Sequence, residues 1–474
     1  MSREYQLYYG GKWQAGEKVK EVRSPYDGKV VARCQMGGEK HLNDAVEQAH
    51  GAFEEMRRLS SWQRSKILNQ IADGIEKQRD EFASAIVEEA GKPISLARGE
   101  VARAVHTARI GAVEAERMGD ESISLDTTEK TKGFWGVMRR FPLGVVGGIA
   151  PFNFPLNLVA HKLVPALASG NTIVLKPASQ TPGGAVLLAG VAAETDLPKG
   201  AVAVVPSPGR VAEAMARDDR VKKLTFTGSA EIGWSLKEKA WRKRVTLELG
   251  GNAATVVHDD ADQEKAASQL ILSGYGYAGQ VCISTQRIMV QESIYKDFRE
   301  RFVAAVREGA KMGDPYDESV IVGPMIDEDS AKRTEEWVNA AASRGARVLV
   351  GGKRRGTLYE PTVLENVEPS CEVWCEEVFA PVTALAPYKH FDDALRMVND
   401  SRFGLQAAVF TRDLDRARKA FTEIEVGGVM VNQSPTFRVD SMPYGGVKDS
   451  GFGREGLRYA IEEMTELRLA VFAA

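Results

Sequence analysis

Two residues of this chain could do chemistry together, a thiol as nucleophile and a carboxylate as general base. Cys282 follows a run of small residues in GYGYAGQVCIST (Gly274 to Thr285), and Glu248 closes the apolar run of TLELGG. Only a thiolate is a good nucleophile, and at an ordinary thiol pKa near ~8.5 little of it exists at neutral pH. Small flanking residues let the backbone approach closely and offer N–H donors to a developing oxyanion. Taken alone, a cysteine is better read as a small buried hydrophobe. Glu248 shifts that balance. A carboxylate at the end of an apolar strand, in poorly solvated surroundings, has the raised pKa of a general base; the competing reading is a surface or salt-bridged glutamate. Asn153, behind the apolar start of GGIAPFNFPLN, adds an amide able to donate to an oxyanion.

The segments carrying these residues alternate in character. After a short strand pair, His41 to Gly119 is rich in Ala, Glu, Arg and Leu with apolar residues at helical spacing. From Gly144 the pattern becomes short apolar strands (GVVGGIAP, NTIVLKP, GAVAVVPS, KKLTFTGS) separated by helical stretches, the signature of βαβ units. A second such series begins after VTLELGGNAATVVHDDAD. The expected fold is α/β, with two doubly wound Rossmann-like domains meeting near Leu249 to Gly251. Ser122 to Phe141 and the tail EEMTELRLAVFAA read as exposed strands outside both sheets, edges that another subunit would cover. The resulting division is 1–119 and 143–250 for dinucleotide binding, 251–445 for catalysis, and 120–142 with 460–474 for oligomerisation.

Ligands of doubly wound sheets bind at the carboxyl ends of the strands. There, Lys176 of IVLKPASQTP can reach a ribose or phosphate. Gly228 and Ser229 of LTFTGSAEIG enter a helix whose free N–H groups and dipole favour an anion. Each signal is weak singly, because GSAEIG is not the G-x-G-x-x-G fingerprint and a lone lysine is usually solvated. A dinucleotide site depends on all of them sharing one sheet edge.

Composition narrows the class. The 474 residues exceed what one core supports, and 62 basic against 65 acidic residues give a net charge of −3. That balance excludes a nucleic-acid or membrane-surface binder. Four cysteines make no disulfide framework, and six scattered histidines show no metal-ligand spacing. The amino-terminal MSREYQLYYGGKW lacks a signal-peptide core, and no segment is long enough to cross a membrane. A cytoplasmic location is expected.

Seven motifs in register (PFNFPLN, VLKPASQTP, FTGSAEIG, LELGGN, GQVCIS, EEVFAPV and PYGGVKDSGFGREG) resemble those of the NAD(P)-dependent aldehyde dehydrogenase superfamily over essentially the whole chain. The 34 positions from Glu248 to Cys282 agree as well. The resemblance implies that Cys282 attacks an aldehyde to give a thiohemiacetal whose oxyanion Asn153 and the Cys282 N–H hold. After hydride transfer, Glu248 activates water to hydrolyse the thioester. It further implies a cofactor site of Ile149, Pro151, Phe152, Lys176, Ser179, Gly209, Phe226, Gly228, Ser229, Gly250, Glu377 and Phe379. Within that set Lys176 serves the adenosine ribose, Ser229 the pyrophosphate, and Glu377 and Phe379 the nicotinamide ribose and ring. A homodimer or homotetramer follows by the same resemblance.

One departure bears on the cofactor. Many NAD-preferring members have glutamate where this chain has Ser179; a serine does not repel a 2′-phosphate, so NADP is expected to be accepted alongside NAD. For the substrate, Arg438 in NQSPTFRVDSMPYGG would border the aldehyde tunnel, with Arg103, Arg109, His106 and His161 approaching from the helical side. An arginine there suits a small polar or anionic aldehyde, although Arg438 reads equally as a structural loop contact. Val281 occupies the place where some relatives acting on phosphorylated aldehydes have arginine. The rival activities are a CoA-acylating dehydrogenase, which generally lacks the equivalent of Glu248, and a non-redox cysteine esterase, which would need a Cys–His pair.

Overall fold

The computed structural model describes residues 2–473. Two main sheets account for the architecture. The first has eight strands, in the order Gly451–Phe452, Arg244–Glu248, Val221–Thr227, Val145–Ile149, Thr172–Lys176, Val202–Val204, Leu7–Tyr9 and Lys12–Gln14. The five from Arg244–Glu248 to Val202–Val204 are parallel, and the rest join antiparallel. Those central strands are almost wholly buried, which is why their sequences read as unbroken apolar runs rather than alternating ones. From Val145–Ile149, chain order runs outward in both directions, so the topological switch falls between it and Val221–Thr227. A crevice opens at the carboxyl ends of such a strand pair.

The second sheet has seven strands: Arg347–Val350, Thr362–Glu365, Val382–Tyr388, Thr285–Gln291, Ala253–Val257, Gln406–Phe410 and Gly428–Val431. All pair in parallel except the first. The chain passes from the last parallel strand of the first sheet to the second through Leu249–Asn252 alone. The carboxyl ends of one sheet therefore face the amino ends of the other.

A three-stranded antiparallel sheet stands outside both: Thr465–Phe472, Trp135–Pro142 and Glu121–Ser124. Helix Leu457–Glu463 belongs to the first domain, because Leu457, Ile461 and Met464, at helical spacing, enter that domain's core. Strand Gly451–Phe452 likewise pairs with Arg244–Glu248, so the chain returns to the first domain before the small sheet. At the amino terminus the expected strand pair is five strands. Arg3–Tyr5, Lys18–Arg23 and Val30–Met36 form their own sheet, while the hairpin Leu7–Tyr9/Lys12–Gln14 extends the first. Among the described residues, no helix is long and apolar enough to cross a membrane, and no cluster of three His, Cys, Asp or Glu could hold a metal.

Candidate active site

A cavity of about 720 Å³ lies where the two sheets face each other, and Cys282, Glu248 and Asn153 all line it. Cys282 is delivered by a tight turn ahead of strand Thr285–Gln291. Tyr277 and Ala278, neither a glycine, take left-handed backbone angles with φ of 54° and 52°, conformations that persist only where the surroundings over-determine them. The crossing peptide closes from the other side. A Cβ on Gly251 would stand 2.2 Å from the Cys282 carbonyl oxygen, so only glycine allows that approach.

Glu248, the last residue of its strand, is 3% exposed, and neither of its carboxylate oxygens has a hydrogen-bond partner. Burial, followed by the charge of Glu455, pushes its carboxyl well above the ordinary value, against the pull of Arg438 and Lys162. Such a group gains a proton readily. Burial also pushes the Cys282 thiol up to about 11, opposed by the Tyr444 hydroxyl 3.0 Å away and by the Arg438 charge. Asn153 donates from Nδ2 to the Gln280 carbonyl at 3.0 Å, while its Oδ1 has no partner. A side-chain amide has two N–H donors, so one ties Asn153 to the cysteine loop and the other remains for the cavity.

The residues expected around a dinucleotide lie along the first sheet's carboxyl edge, apart from Glu377 and Phe379, which come from the segment ahead of strand Val382–Tyr388 of the second sheet. Pro151, Phe152, Gly228, Ser229, Gly250, Glu377 and Phe379 line the cavity. The Phe152 and Phe379 rings meet edge to face at 5.9 Å. Ser229 precedes helix Ala230–Lys239 and makes no side-chain cap of its own, leaving the helix N–H groups for an anion. Gly250 leaves room for Glu377, whose Oε2 a Cβ there would meet at 2.3 Å. Burial raises Glu377 to about 7 although the Gly251 N–H donates to it at 2.9 Å. Ile149 and Phe226 are buried in the two strands at the switch. Lys176, Ser179 and Gly209 stand beyond the cavity lining, farther along this edge. The Ser179 Oγ donates to the Ser207 carbonyl at 3.1 Å, two residues before Gly209. Burial, with Lys20 nearby, lowers Lys176 to about 8, a penalty that a bound anion would relieve. These donors fit a dinucleotide: an uncapped helix start, a desolvated lysine and a glycine cradle on one edge.

The residues expected at the substrate opening separate. Arg103 lines the cavity, one third exposed, and donates to Asp440 Oδ1 at 2.6 Å while its Nε lacks a partner. Arg438 also lines it, but one end of its guanidinium is occupied by His161 Nδ1 at 2.8 Å and Glu455 Oε2 at 3.1 Å. His161 does not line the cavity; it is buried beneath, between Asp440 at 2.8 Å and Glu455 at 3.3 Å. Arg109 points away to Asn69 and Asp73, and His106 is exposed on the outer face of its helix. The cysteine's polar partner is thus Tyr444, not a histidine.

Glu455, Lys162, Asp440 and Tyr444 escaped the reading of the sequence. Lys162 Nζ lies 3.1 Å from Glu455 and 2.7 Å from the Thr227 hydroxyl. Burial opposes ionisation of Glu455, but Lys162, His161 and Arg438 outweigh it and hold the carboxyl well below its usual range. The only trace in the sequence is that Tyr444 and Glu455 stand inside the motif PYGGVKDSGFGREG.

Comparison with known proteins identifies the family. The family model described as Aldehyde dehydrogenase family matches residues 13–470. A protein of Priestia aryabhattai named 3-sulfolactaldehyde dehydrogenase is 44% identical over 470 residues, 99% of this chain and 98% of that one. The crystal structure of aldehyde dehydrogenase 21 from Physcomitrella patens, in complex with the reaction product succinate, is 41% identical with a TM-score of 0.98, covering 100% of this chain and 99% of its own. Glyceraldehyde-3-phosphate dehydrogenase GapN from Methanocaldococcus jannaschii, complexed with NADP, is 37% identical with a TM-score of 0.93, covering 97% and 100%. With a thiol, a buried carboxylate and an amide converging beside a dinucleotide edge, and with matches over nearly the full length, the chain belongs to the aldehyde dehydrogenase family, NAD(P)-dependent oxidoreductases that take aldehydes to acids.

Proposed function

We propose that this enzyme oxidises a small anionic aldehyde to its carboxylic acid, with NADP accepted as well as NAD. The observation that carries the reading is one cavity lined together by Cys282, Glu248, Asn153 and the partly exposed cation Arg103. Cys282 attacks the carbonyl carbon. The resulting oxyanion is held by the second Asn153 N–H and the backbone N–H of Cys282, donors fixed before the charge appears. NAD(P)+, when bound, supplies the hydride acceptor. Glu248, unpaired and poorly solvated, takes a proton from the water that attacks the thioester, and Cys282 leaves as the acid is released. The presence of Glu248 supports water rather than CoA as the acyl acceptor.

Arg103 is the first contact for the substrate's anionic end, and Arg438 lies one layer deeper. The named relatives, a sulfolactaldehyde dehydrogenase and a glyceraldehyde-3-phosphate dehydrogenase, fit that charge. Ser179 supports tolerance of a 2′-phosphate, with Lys176 near enough in sequence and place to pair with it. The outer strand Thr465–Phe472, exposed on both faces after Thr465, supports a homodimer or homotetramer built on the small sheet. The four cysteines, all free, support a reducing cytoplasmic setting.

A panel of carboxylate, sulfonate, phosphate and neutral aldehydes tests the reading, each assayed with NAD and NADP. Arg103→Ala should raise KM for the anionic aldehydes by about tenfold or more and spare a neutral one of similar size. Equal effects on both sets would remove anion recognition from the proposal.

A further inference from the structure

Among the described residues, Tyr444 is the side chain that hydrogen-bonds the reacting sulfur. Its hydroxyl lies 3.0 Å from the Cys282 Sγ. The ring is 3% exposed, and its backbone is pinned to Glu455 by reciprocal bonds of 3.0 and 2.7 Å. The Arg438 guanidinium stacks 3.6 Å from the ring centroid, and is itself fixed by His161 and Glu455. A phenol has one proton to give, and a cation over its face draws electron density away from the oxygen.

Resting on the reading of Cys282 as nucleophile, we propose that Tyr444 is a further catalytic residue: its hydroxyl donates a hydrogen bond to the Cys282 thiolate, and Arg438 positions and polarises it through the ring. In the thiol form either atom can donate. Once sulfur is ionised only the hydroxyl can, and hydrogen bonds to an ionised acceptor are the stronger kind. Tyr444 keeps its proton throughout; the proton lost by the thiol passes to solvent. The hydroxyl thereby stands where a histidine is missing. The other charges facing the sulfur are Arg438, which favours the thiolate, and Glu377 and Glu248, which oppose it when ionised.

The test reads the thiol itself. Cofactor-free enzyme is alkylated with iodoacetamide across a pH series, and modification of the Cys282 peptide is followed by mass spectrometry. Tyr444→Phe keeps the ring and its stack on Arg438. It should raise the apparent thiol pKa by about one unit and slow alkylation about tenfold below that pKa, leaving the high-pH plateau unchanged. A profile superimposed on that of the wild type overturns the proposal. Should the phenylalanine variant fold poorly, 3-fluorotyrosine placed at 444 offers a more acidic phenol of nearly the same shape. It should lower the thiol pKa, and no change overturns the proposal equally.

Arg438→Met should raise the thiol pKa less in the Tyr444→Phe background than in the wild type. Equal effects in both would remove the role through the ring. The functional reading fails separately, if alkylated Cys282 still supports NAD(P)H formation.

Discussion

Glu248 and Cys282 both carry the cost of burial, but their environments set them different tasks. Glu248 has no hydrogen-bond donor to hold its charge, so its carboxyl stays protonated to a higher pH than usual. The basic form needed for deacylation appears only as pH rises through that raised value. Turnover limited by this step should therefore climb toward alkaline pH, and that limb should vanish in Glu248→Gln. The same variant should lose about 10²- to 10⁴-fold in kcat while retaining a first-turnover burst of NAD(P)H, read by stopped-flow absorbance. No burst would place Glu248 ahead of hydride transfer. At the cofactor edge, Ser179→Glu puts a carboxylate beside the desolvated Lys176. It should cut kcat/KM for NADP by about tenfold or more relative to NAD, since like charges repel strongly where water is scarce.

Polar contacts tie the loop Ser434–Gly446 to helices Ile94–Arg117 and Asn157–Ala168. Asp440 bridges the two helices, accepting from Arg103 of the first and His161 of the second. Its carboxyl is held far below the usual range, because those two partners outweigh the cost of burial. A depressed folded pKa contributes stability that is fully present above the unfolded value, near ~3.9, and is lost as pH falls below it. Asp440→Asn leaves Arg103 and His161 facing each other without their anion. We expect a loss of roughly 3 kcal/mol near neutral pH, the lower end for a buried pair because Arg103 is partly solvated. The gap from the wild type should close as pH drops below about 4 in denaturant titrations. A gap independent of pH would mean that Asp440 acts by packing alone.

At the scale of the whole molecule, the small sheet is the least self-sufficient part. Leu467, Leu469 and Val471 alternate along its outer strand, each about half exposed, and Trp135 stacks on Phe472 at 4.5 Å across the strand pair. An edge of this kind, apolar and unpaired, is a template for association. Replacing Leu469 and Val471 together by Asp should leave the monomer's fold intact and shift sedimentation toward the single chain at micromolar concentration. An unchanged sedimentation coefficient would count against association through this sheet.

Much of this was written locally. Unbroken apolar strands separated by helices specified two parallel sheets, and the glycines around Cys282 and Glu248 marked close approach of backbone, because each is a short-range constraint on a few neighbouring residues. The packing of helix Leu457–Glu463 was not legible, since an amphipathic helix shows that it has a buried face, not which core receives it. His161 and Arg109, expected near the substrate, sit behind Arg438 and on the outer face, because helical spacing fixes a side chain's direction only relative to its own helix. Tyr444 and Glu455 could not be assigned roles from spacing: they stand 162 and 207 positions from the residues they serve, Cys282 and Glu248 respectively. Sequence alone thus determined which chemical groups exist and which family's order they follow. Tertiary structure decided their ionisation and pairing, since burial and charge at a point depend on every segment that meets there.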